Sequence, residues 1–237
     1  MCTPLRVSFQ PATGGLIREA ALESLVPYRP GELAPVRKPP AYKGARHLPG
    51  LFWMSQLNKL VCYESRLEMV ILKRLDFVAD LEDVLPQPCV LHFSHEGKQH
   101  SHIPDFLAWY TGRPPLLVNV KPRQYVDRER NRRAFATCES ACEQTGWRYV
   151  TESEPDPTFL ANLNWLAGYR RPPPDLPRYG PMLIDRLEVP MTIERLLADV
   201  GPTALVRPVL FYLLWTHSLS FDPYELLSEE SVIRFPA

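Results

Sequence analysis

The sequence predicts an α/β protein with one mixed β-sheet flanked by helices, followed by a small helical module. Segments with apolar residues at helical spacing are interleaved with short β-branched and aliphatic runs, an order typical of α/β sheets. A proline-rich stretch at 171–175 divides this pattern from two C-terminal helical segments. The 237 residues, 45% of them hydrophobic and 23% charged, are enough to bury a core and have an ordinary globular composition.

The first 46 residues predict a proline-rich N-terminal arm. The chain has 26 prolines, about twice the usual share, and the arm also carries basic stretches such as 37–40. No helical or strand periodicity of apolar residues is sustained over these residues. We expect an extended segment with a short strand at 5–9 and a short helix at 18–25.

Residues 47–170 are predicted to form the sheet domain. Segments 51–54 and 60–63 predict a hairpin. Leu67, Val70, Ile71 and Leu75 lie at helical spacing and predict a helix over 64–77. The remaining predicted elements, in chain order, are a hairpin of 89–93 with 102–109 around Glu96-Gly97, a strand at 116–121, a helix from a cap at Asp127 to Gly146, a strand at 148–151 and a helix capped by Asp156 over 157–168.

A linker at 171–180 and a C-terminal module at 181–237 complete the predicted domains. Helices are predicted at 192–200 and 203–216, with Pro208 delaying the regular start of the second. Segments 219–221 and 231–235 are expected to pair as strands, which gives a winged-helix-like pattern. The 203–216 helix has Arg207 as its only cationic side chain, so it suits a core or a protein-docking surface better than a DNA groove.

Polar residues suggest one metal site on the sheet. Asn119 and Lys121 project to the same face of a strand, because strand side chains alternate. Asp105 lies beside them if the strands pair, and Glu64 or Glu68 can reach the same place from the preceding helix. Carboxylate and amide oxygens suit Mg²⁺, and a lysine beside it can steady developing charge. The alternative is structural: Asp105 caps a turn, Lys121 ends a strand and Glu68 pairs with an arginine.

Four motifs in order resemble the TnsA family, the endonuclease subunits of heteromeric transposases in the restriction-endonuclease-like, PD-(D/E)xK superfamily. The motifs are Glu64-Ser65-Arg66-Leu67-Glu68, Leu85-Pro86-Gln87-Pro88, Ile103-Pro104-Asp105-Phe106-Leu107 and Val118-Asn119-Val120-Lys121-Pro122. The similarity extends over about residues 40–235, including 165–171 and the region around Trp215. It implies a restriction-endonuclease-like sheet core.

The resemblance implies a role for each site residue. Glu68, Asp105 and Lys121 match the catalytic residues, with Glu68, Asp105 and Asn119 as metal ligands. Asn119 stands where the superfamily usually has an acidic residue, which places that ligand in doubt. Gln87 and Glu64 are supporting residues.

The implied function is cleavage of double-stranded DNA at the 5′ ends of a transposon. Mg²⁺ is the implied cofactor, and Mn²⁺ substitutes for it. The implied partners are a TnsB-like DDE transposase and a TnsC-like AAA+ ATPase that docks on the C-terminal module. Two alternatives are a catalytically impaired assembly subunit and a stand-alone repair or restriction nuclease of the same fold.

Charge and cysteine content refine these expectations. The net charge is zero, which argues against tight DNA binding without partners. The predicted DNA-binding residues form a local basic stretch, although a solvated helix face would look alike: Arg123, Arg128, Arg130, Arg132 and Arg133. Five cysteines without framework spacing indicate reduced thiols and, with no apolar run of membrane-spanning length, a cytoplasmic protein.

Zinc is the remaining alternative for the histidine-rich segment. Its candidate ligands fit no common zinc spacing: Cys89, His92, His95, His100 and His102. Strand alternation also separates His92 from His95. A hairpin tip in solvent accounts better for these histidines.

Overall fold

The computed structural model describes residues 5–37 and 49–236. The chain divides into two compact units, 1–154 and 155–237. The division falls earlier than the predicted end of the sheet domain at residue 170, so 155–170 group with the C-terminal unit. Among the described residues, no helix has the length and apolar character needed to cross a membrane.

The first unit contains the elements predicted for the sheet domain up to residue 152, together with strands from the predicted arm. In chain order they are β1 (Arg6–Pro11), β2 (Ile17–Ala21), a 3-10 helix (Leu22–Leu25), β3 (Leu33–Ala34), β4 (Gly50–Met54), β5 (Lys59–Tyr63), α1 (Arg66–Phe77), β6 (Leu81–Pro86), β7 (Cys89–His95), β8 (Lys98–His102), β9 (Phe106–Tyr110), β10 (Arg113–Val120), α2 (Arg123–Val126), α3 (Glu129–Thr145) and β11 (Arg148–Glu152).

The central sheet has the strand order β11-β10-β9-β6 and is mixed, as predicted. β10 runs parallel to β11 and antiparallel to β9, and β9 is antiparallel to β6. Val118 and Val120 pack with Ile71 and Leu72 of α1. Leu117, on the opposite face of β10, packs with Cys138 of α3. The sheet therefore lies between α1 and α3, and consecutive residues of β10 face different helices.

A second sheet, in the order β2-β1-β7-β8 with β3 beside β1, incorporates the described part of the predicted arm. Val7 of β1 pairs with Leu91 of β7, and both are buried. The prediction of a separate arm is therefore wrong for residues 5–37, because alternating apolar residues such as Val7 and Phe9 give β1 a buried face. Most of the remaining arm, 38–46, lies outside the described residues.

The predicted hairpin of 89–93 with 102–109 is wrong in its second strand. β7 pairs instead with β8, and Phe93 stands opposite His100. The chain then leaves this sheet at Ile103-Pro104 and enters the central sheet as β9. Proline lacks the N–H that a sheet ladder needs, so a break at Pro104 is expected on physical grounds.

The start of α3 differs from the prediction, whereas its end agrees. The short helix α2 comes first, and Asp127 is the C-cap of α2 rather than the N-cap of α3. Gly146 ends α3 with φ of 71°, a left-handed conformation that glycine adopts without strain. Cys138 and Cys142 are both buried free thiols on this helix, as expected.

The second unit is mostly helical. Its elements are α4 (Pro157–Leu166), a 3-10 helix (Ala167–Tyr169), α5 (Leu176–Arg186), β12 (Met191–Thr192), α6 (Ile193–Val200), α7 (Thr203–Trp215) and β13 (Val232–Ile233). Asp156 caps α4 as predicted, since its carboxylate accepts from the N–H groups of Thr158 and Phe159.

Three expectations for the second unit need correction. The linker 171–180 contains the first turns of α5, with Tyr179 buried. β13 pairs with β12, and Ser220 with Arg234 is an isolated bridge, so the predicted pairing of 219–221 with 231–235 is reduced to one residue pair. Pro208 lies inside α7 without delaying its start at Thr203.

Asp76 at the end of α1 provides a first stability prediction. Its side chain is buried and accepts from the Ser55 N–H and hydroxyl, each at 2.8 Å, and from the Gln56 N–H at 3.1 Å. Asp76→Ala leaves these donors of the β4–β5 turn without their carboxylate, so we expect a loss of about 2–4 kcal/mol in the free energy of unfolding. Urea unfolding measures it, with exposed Glu139→Ala as control; a loss below about 0.5 kcal/mol, the usual surface effect, contradicts the prediction.

Candidate active site

Asp105 is held at the end of β10 by two backbone contacts. Its N–H donates to the Val118 carbonyl at 3.0 Å, and its carboxylate Oδ2 accepts from the Val120 N–H at 2.6 Å. The pairing of β9 with β10, with Phe106 opposite Val118, brings these residues together. Lys121 follows Val120 in the chain, so Asp105 lies beside Lys121, as the strand pattern predicted.

Charged groups shift the pKa of the Asp105 carboxyl, and these groups are its neighbours in the structure. Burial and the nearby charge of Glu68 raise the pKa of the Asp105 carboxyl to about 7, and Glu64 adds to this rise. The Val120 N–H and the Lys121 ammonium act in the opposite direction. Glu68, Lys121 and Glu64 are thus all close enough to Asp105 to interact with it electrostatically.

Glu68 also stabilises the start of α1. The Ser65 hydroxyl caps the helix by accepting from the Glu68 N–H at 3.2 Å, and it donates to Glu68 Oε1 at 2.9 Å. Glu68 Oε2 accepts from the Glu64 N–H at 2.7 Å. This arrangement resembles a capping box. These bonds orient both carboxylate oxygens of Glu68.

Gln87 joins the supporting residues. Its backbone N–H donates to the Asp105 carbonyl at 2.8 Å, and its side-chain amide donates to Glu64. The Nη2 of Arg37 donates to both carboxylate oxygens of Glu64, at 2.9 Å to Oε1 and 2.8 Å to Oε2. The Gln87 amide oxygen is buried and has no hydrogen-bond partner among the described residues. An unpaired buried oxygen on a side chain that bonds Glu64 is an available acceptor for a water or a ligand for a cation.

Asn119 is engaged in a buried network that the sequence did not suggest. Its Oδ1 lies 2.8 Å from His102 Nε2, and its amide nitrogen donates to the Tyr149 hydroxyl at 2.9 Å and to Cys138 Sγ at 3.3 Å. The side chain is almost fully buried. The structure thus assigns Asn119 a packing role on the α3 side of the sheet, and its role as a metal ligand stays a prediction.

A cavity of about 740 Å³ opens beside Lys121, between the β7–β8 hairpin and the α2–α3 segment; we call it the hairpin cavity. Of the five arginines predicted to bind DNA, Arg128, Arg130 and Arg133 line it, and Arg123 and Arg132 do not. The complete lining is Phe93, His100, Ser101, His102, Lys121, Tyr125, Arg128, Glu129, Arg130, Asn131, Arg133 and Ala134.

The candidate zinc ligands occupy separate environments. Cys89 is buried in the core, and His92 bonds the Ser8 hydroxyl at 2.9 Å. His100 stacks on Phe93, and His102 bonds Asn119. Within residues 5–37 and 49–236, no group of three or more His, Cys, Asp or Glu side chains is arranged to hold a metal.

A hard cation nevertheless fits the two-carboxylate set of Glu68 and Asp105. Magnesium in nucleotide-processing enzymes is commonly held by one or two carboxylates, together with water and substrate phosphate. The acceptor oxygen of Gln87 adds a neutral group of the same hard type. These residues could therefore hold Mg²⁺ with substrate present.

The mixed sheet between helices is consistent with a restriction-endonuclease-like fold. Residues 79–154, about a third of the chain, match the family model described as TnsA-like endonuclease N terminal. The match supports assignment of this part of the chain to the TnsA-like endonuclease family, a nuclease family, and it confirms the resemblance for the three motifs at 85–88, 103–107 and 118–122; the motif at 64–68 lies outside it. It ends at Glu154, where the first compact unit ends. No curated protein matches the chain.

The raised pKa of Asp105 predicts a pH-dependent stability difference. A carboxyl whose folded-state pKa, about 7, exceeds the ordinary 3.8 stabilises the fold when protonated. That contribution is complete below pH 3.8 and is lost as the pH rises through 7. In EDTA, we therefore expect the Tm of Asp105→Asn relative to wild type to increase from pH 5 to pH 8. Differential scanning calorimetry across this range tests it; a constant offset would show that the carboxyl titrates normally.

Proposed function

We propose that this protein is the Mg²⁺-dependent DNA endonuclease subunit of a heteromeric transposase, cutting at the 5′ ends of the transposon. The observation that carries the proposal is the convergence of Glu68, Asp105 and Lys121 at the end of β10. The TnsA-like match over residues 79–154, which include Asp105 and Lys121, supports it. Mn²⁺ is expected to substitute for Mg²⁺.

Each residue has a distinct task in the proposed reaction. Asp105 and Glu68 bind the cation through their carboxylates, and Asp105 is fixed in place by the Val120 N–H. Lys121 orients the attacking water and offsets charge on the phosphorane, since its ammonium is a compact point charge. When bound, Mg²⁺ supplies the positive charge that activates water and balances the developing negative charge. Burial around Asp105 strengthens these interactions by excluding bulk solvent.

The partners in this proposal are a TnsB-like DDE transposase and a TnsC-like AAA+ ATPase. The zero net charge supports dependence on partners for delivery to DNA. We assign ATPase docking to the second unit, as a winged-helix-like module. The order α5, β12, α6, α7 and β13, with one bridge from Ser220 to Arg234, supports this assignment. Arg207 of α7 is held by Glu229, which leaves this helix poorly suited to reading DNA.

The second candidate is an assembly subunit with an impaired site. The observation that favours it is the engagement of Asn119, which replaces the usual acidic ligand and bonds three interior side chains. Under this candidate Glu68 serves only to cap α1.

A strand-specific nicking assay distinguishes the two candidates. Transposon-end duplexes labelled separately on each strand are incubated with the protein and its partner transposase in Mg²⁺, Mn²⁺ or EDTA. We expect cleavage at the 5′ ends in both metals and none in EDTA. Assembly of the complex on DNA without any 5′-end cleavage would support the impaired subunit and contradict the nuclease.

A further inference from the structure

We propose that the hairpin cavity binds backbone phosphates of the DNA strand next to the scissile bond, with the β7–β8 hairpin as one wall and the start of α3 as the other. This inference rests on the proposed function, because it takes DNA to be the substrate. It divides the basic stretch into residues that contact the substrate inside the cavity and residues that lie outside it.

The position of the cavity connects it to the reaction site. Lys121 lines the cavity and also acts electrostatically on Asp105. The charges of Lys121 and Arg130 both act on His102, a wall residue from β8. A strand whose scissile phosphate lies at Asp105 and Lys121 would therefore place an adjacent phosphate in the cavity.

The charge of the lining suits an anion. Four basic side chains line the cavity: Lys121, Arg128, Arg130 and Arg133. The acidic lining residue is Glu129, and it pairs with Arg133 one helical turn away. A positive cavity in a protein of zero net charge is a local feature, which favours the repeated charges of a phosphate backbone.

Two features of the cavity wall at the start of α3 favour phosphate binding. The Arg128 guanidinium stacks on the Tyr125 ring at 4.2 Å, which restricts its orientation while leaving donors at its edge. α3 has seventeen residues and no side-chain cap at Arg128. Of its first-turn N–H groups, that of Asn131 donates to the Arg128 carbonyl at 2.8 Å, which leaves those of Glu129 and Arg130 for an anion. Phosphate oxygens match both kinds of donor.

The histidine-rich β7–β8 hairpin forms the other wall of the hairpin cavity, and this position gives the segment a function. Ser101 and His100 line the cavity from β8, whereas Gln99 of the same strand does not. His100 is stacked on Phe93 at 5.6 Å between ring centroids, which gives this wall a defined surface. The hairpin then serves to close the cavity opposite α3 rather than to bind zinc.

The test measures duplex binding without cleavage. Fluorescence anisotropy of a labelled transposon-end duplex is recorded in EDTA over a series of KCl concentrations, using the full chain. Arg130→Ala and Arg132→Ala remove the same charge from exposed positions two residues apart on α3. We expect Arg130→Ala to reduce the salt slope by about 0.9, the value for one lost phosphate contact, and Arg132→Ala to change it clearly less.

A second pair tests the opposite wall. Ser101→Asp places a negative charge inside the cavity and should weaken binding several-fold, whereas Gln99→Asp adds the same charge to the same strand outside it and should have a smaller effect. Circular dichroism checks the fold of all four variants. Equal effects within each pair, or no duplex binding by the wild type even at low salt, would overturn the cavity proposal. Binding that follows these pairs without any metal-dependent cleavage would instead contradict the proposed nuclease and leave the cavity assignment supported.

Discussion

Asp105→Asn is expected to abolish metal-dependent cleavage, with a rate loss of at least about 10³-fold, because it removes a charged ligand and the electrostatic stabilisation that depends on it. The amide keeps the size of the carboxyl, and its oxygen can still accept from the Val120 N–H. The fold should therefore survive. Nicking rates of the assembled transposase in Mg²⁺ and Mn²⁺ measure the effect.

Two further variants make this result specific. Asp80→Asn is the matched control, since Asp80 is exposed and has a left-handed backbone, φ 67°, that asparagine tolerates. It should cut at the wild-type rate. Lys121→Ala should lose activity as Asp105→Asn does. If both site variants cut like the wild type, the assignment of the active site is wrong.

Asn119→Leu is expected to destabilise the first unit by about 2–4 kcal/mol, because leucine removes the shared partner of His102 and Tyr149 from a buried position. Tyr149→Phe gives a graded comparison. It removes the two bonds of the Tyr149 hydroxyl, to Asn119 and to Thr151, but leaves the bond of Asn119 to His102, and it should cost about 1–2 kcal/mol. Urea unfolding, together with amide hydrogen exchange of β10, locates and measures both losses.

The same substitution separates two roles of Asn119. A side chain that only packs should lose stability on replacement without changing Mg²⁺ affinity, which isothermal titration calorimetry measures on folded protein below its unfolding range. A change of stability below about 0.5 kcal/mol, the usual range of surface substitutions, combined with loss of Mg²⁺ binding, would instead make Asn119 a ligand.

The elements that the sequence predicted well have local signals. The β4–β5 hairpin and α1 follow from periodicity within one segment, and Gly146 ends α3 because a left-handed residue favours glycine. β6 was missed because it is an edge strand containing Glu82 and Asp83 and ending in Pro86. β8 was missed because Lys98–His102 has no apolar residue, so its pairing is determined by the turn and not by burial.

The candidate site was predictable to the extent that it follows strand alternation. Asp105 and Lys121 come together because β9 and β10 pair, with Phe106 opposite Val118. Spacing could not decide between Glu64 and Glu68, because both lie near Asp105 and differ in their partners: Glu64 bonds Arg37 and Gln87, and Glu68 bonds Ser65. The Asn119 network was unpredictable, because its partners lie 17 to 30 residues away in the chain.

The capping bonds of Glu68 affect how related sequences should be interpreted. A lineage that lost cleavage would still be selected to keep glutamate or glutamine at position 68, three residues after Ser65, since either can support the first turn of α1. Selection to retain Asp105 and Lys121 would be weaker once cleavage is lost. Among homologues, retention of the aspartate and lysine pair is therefore the better indicator of a working enzyme, and retention of the glutamate chiefly reports an intact helix.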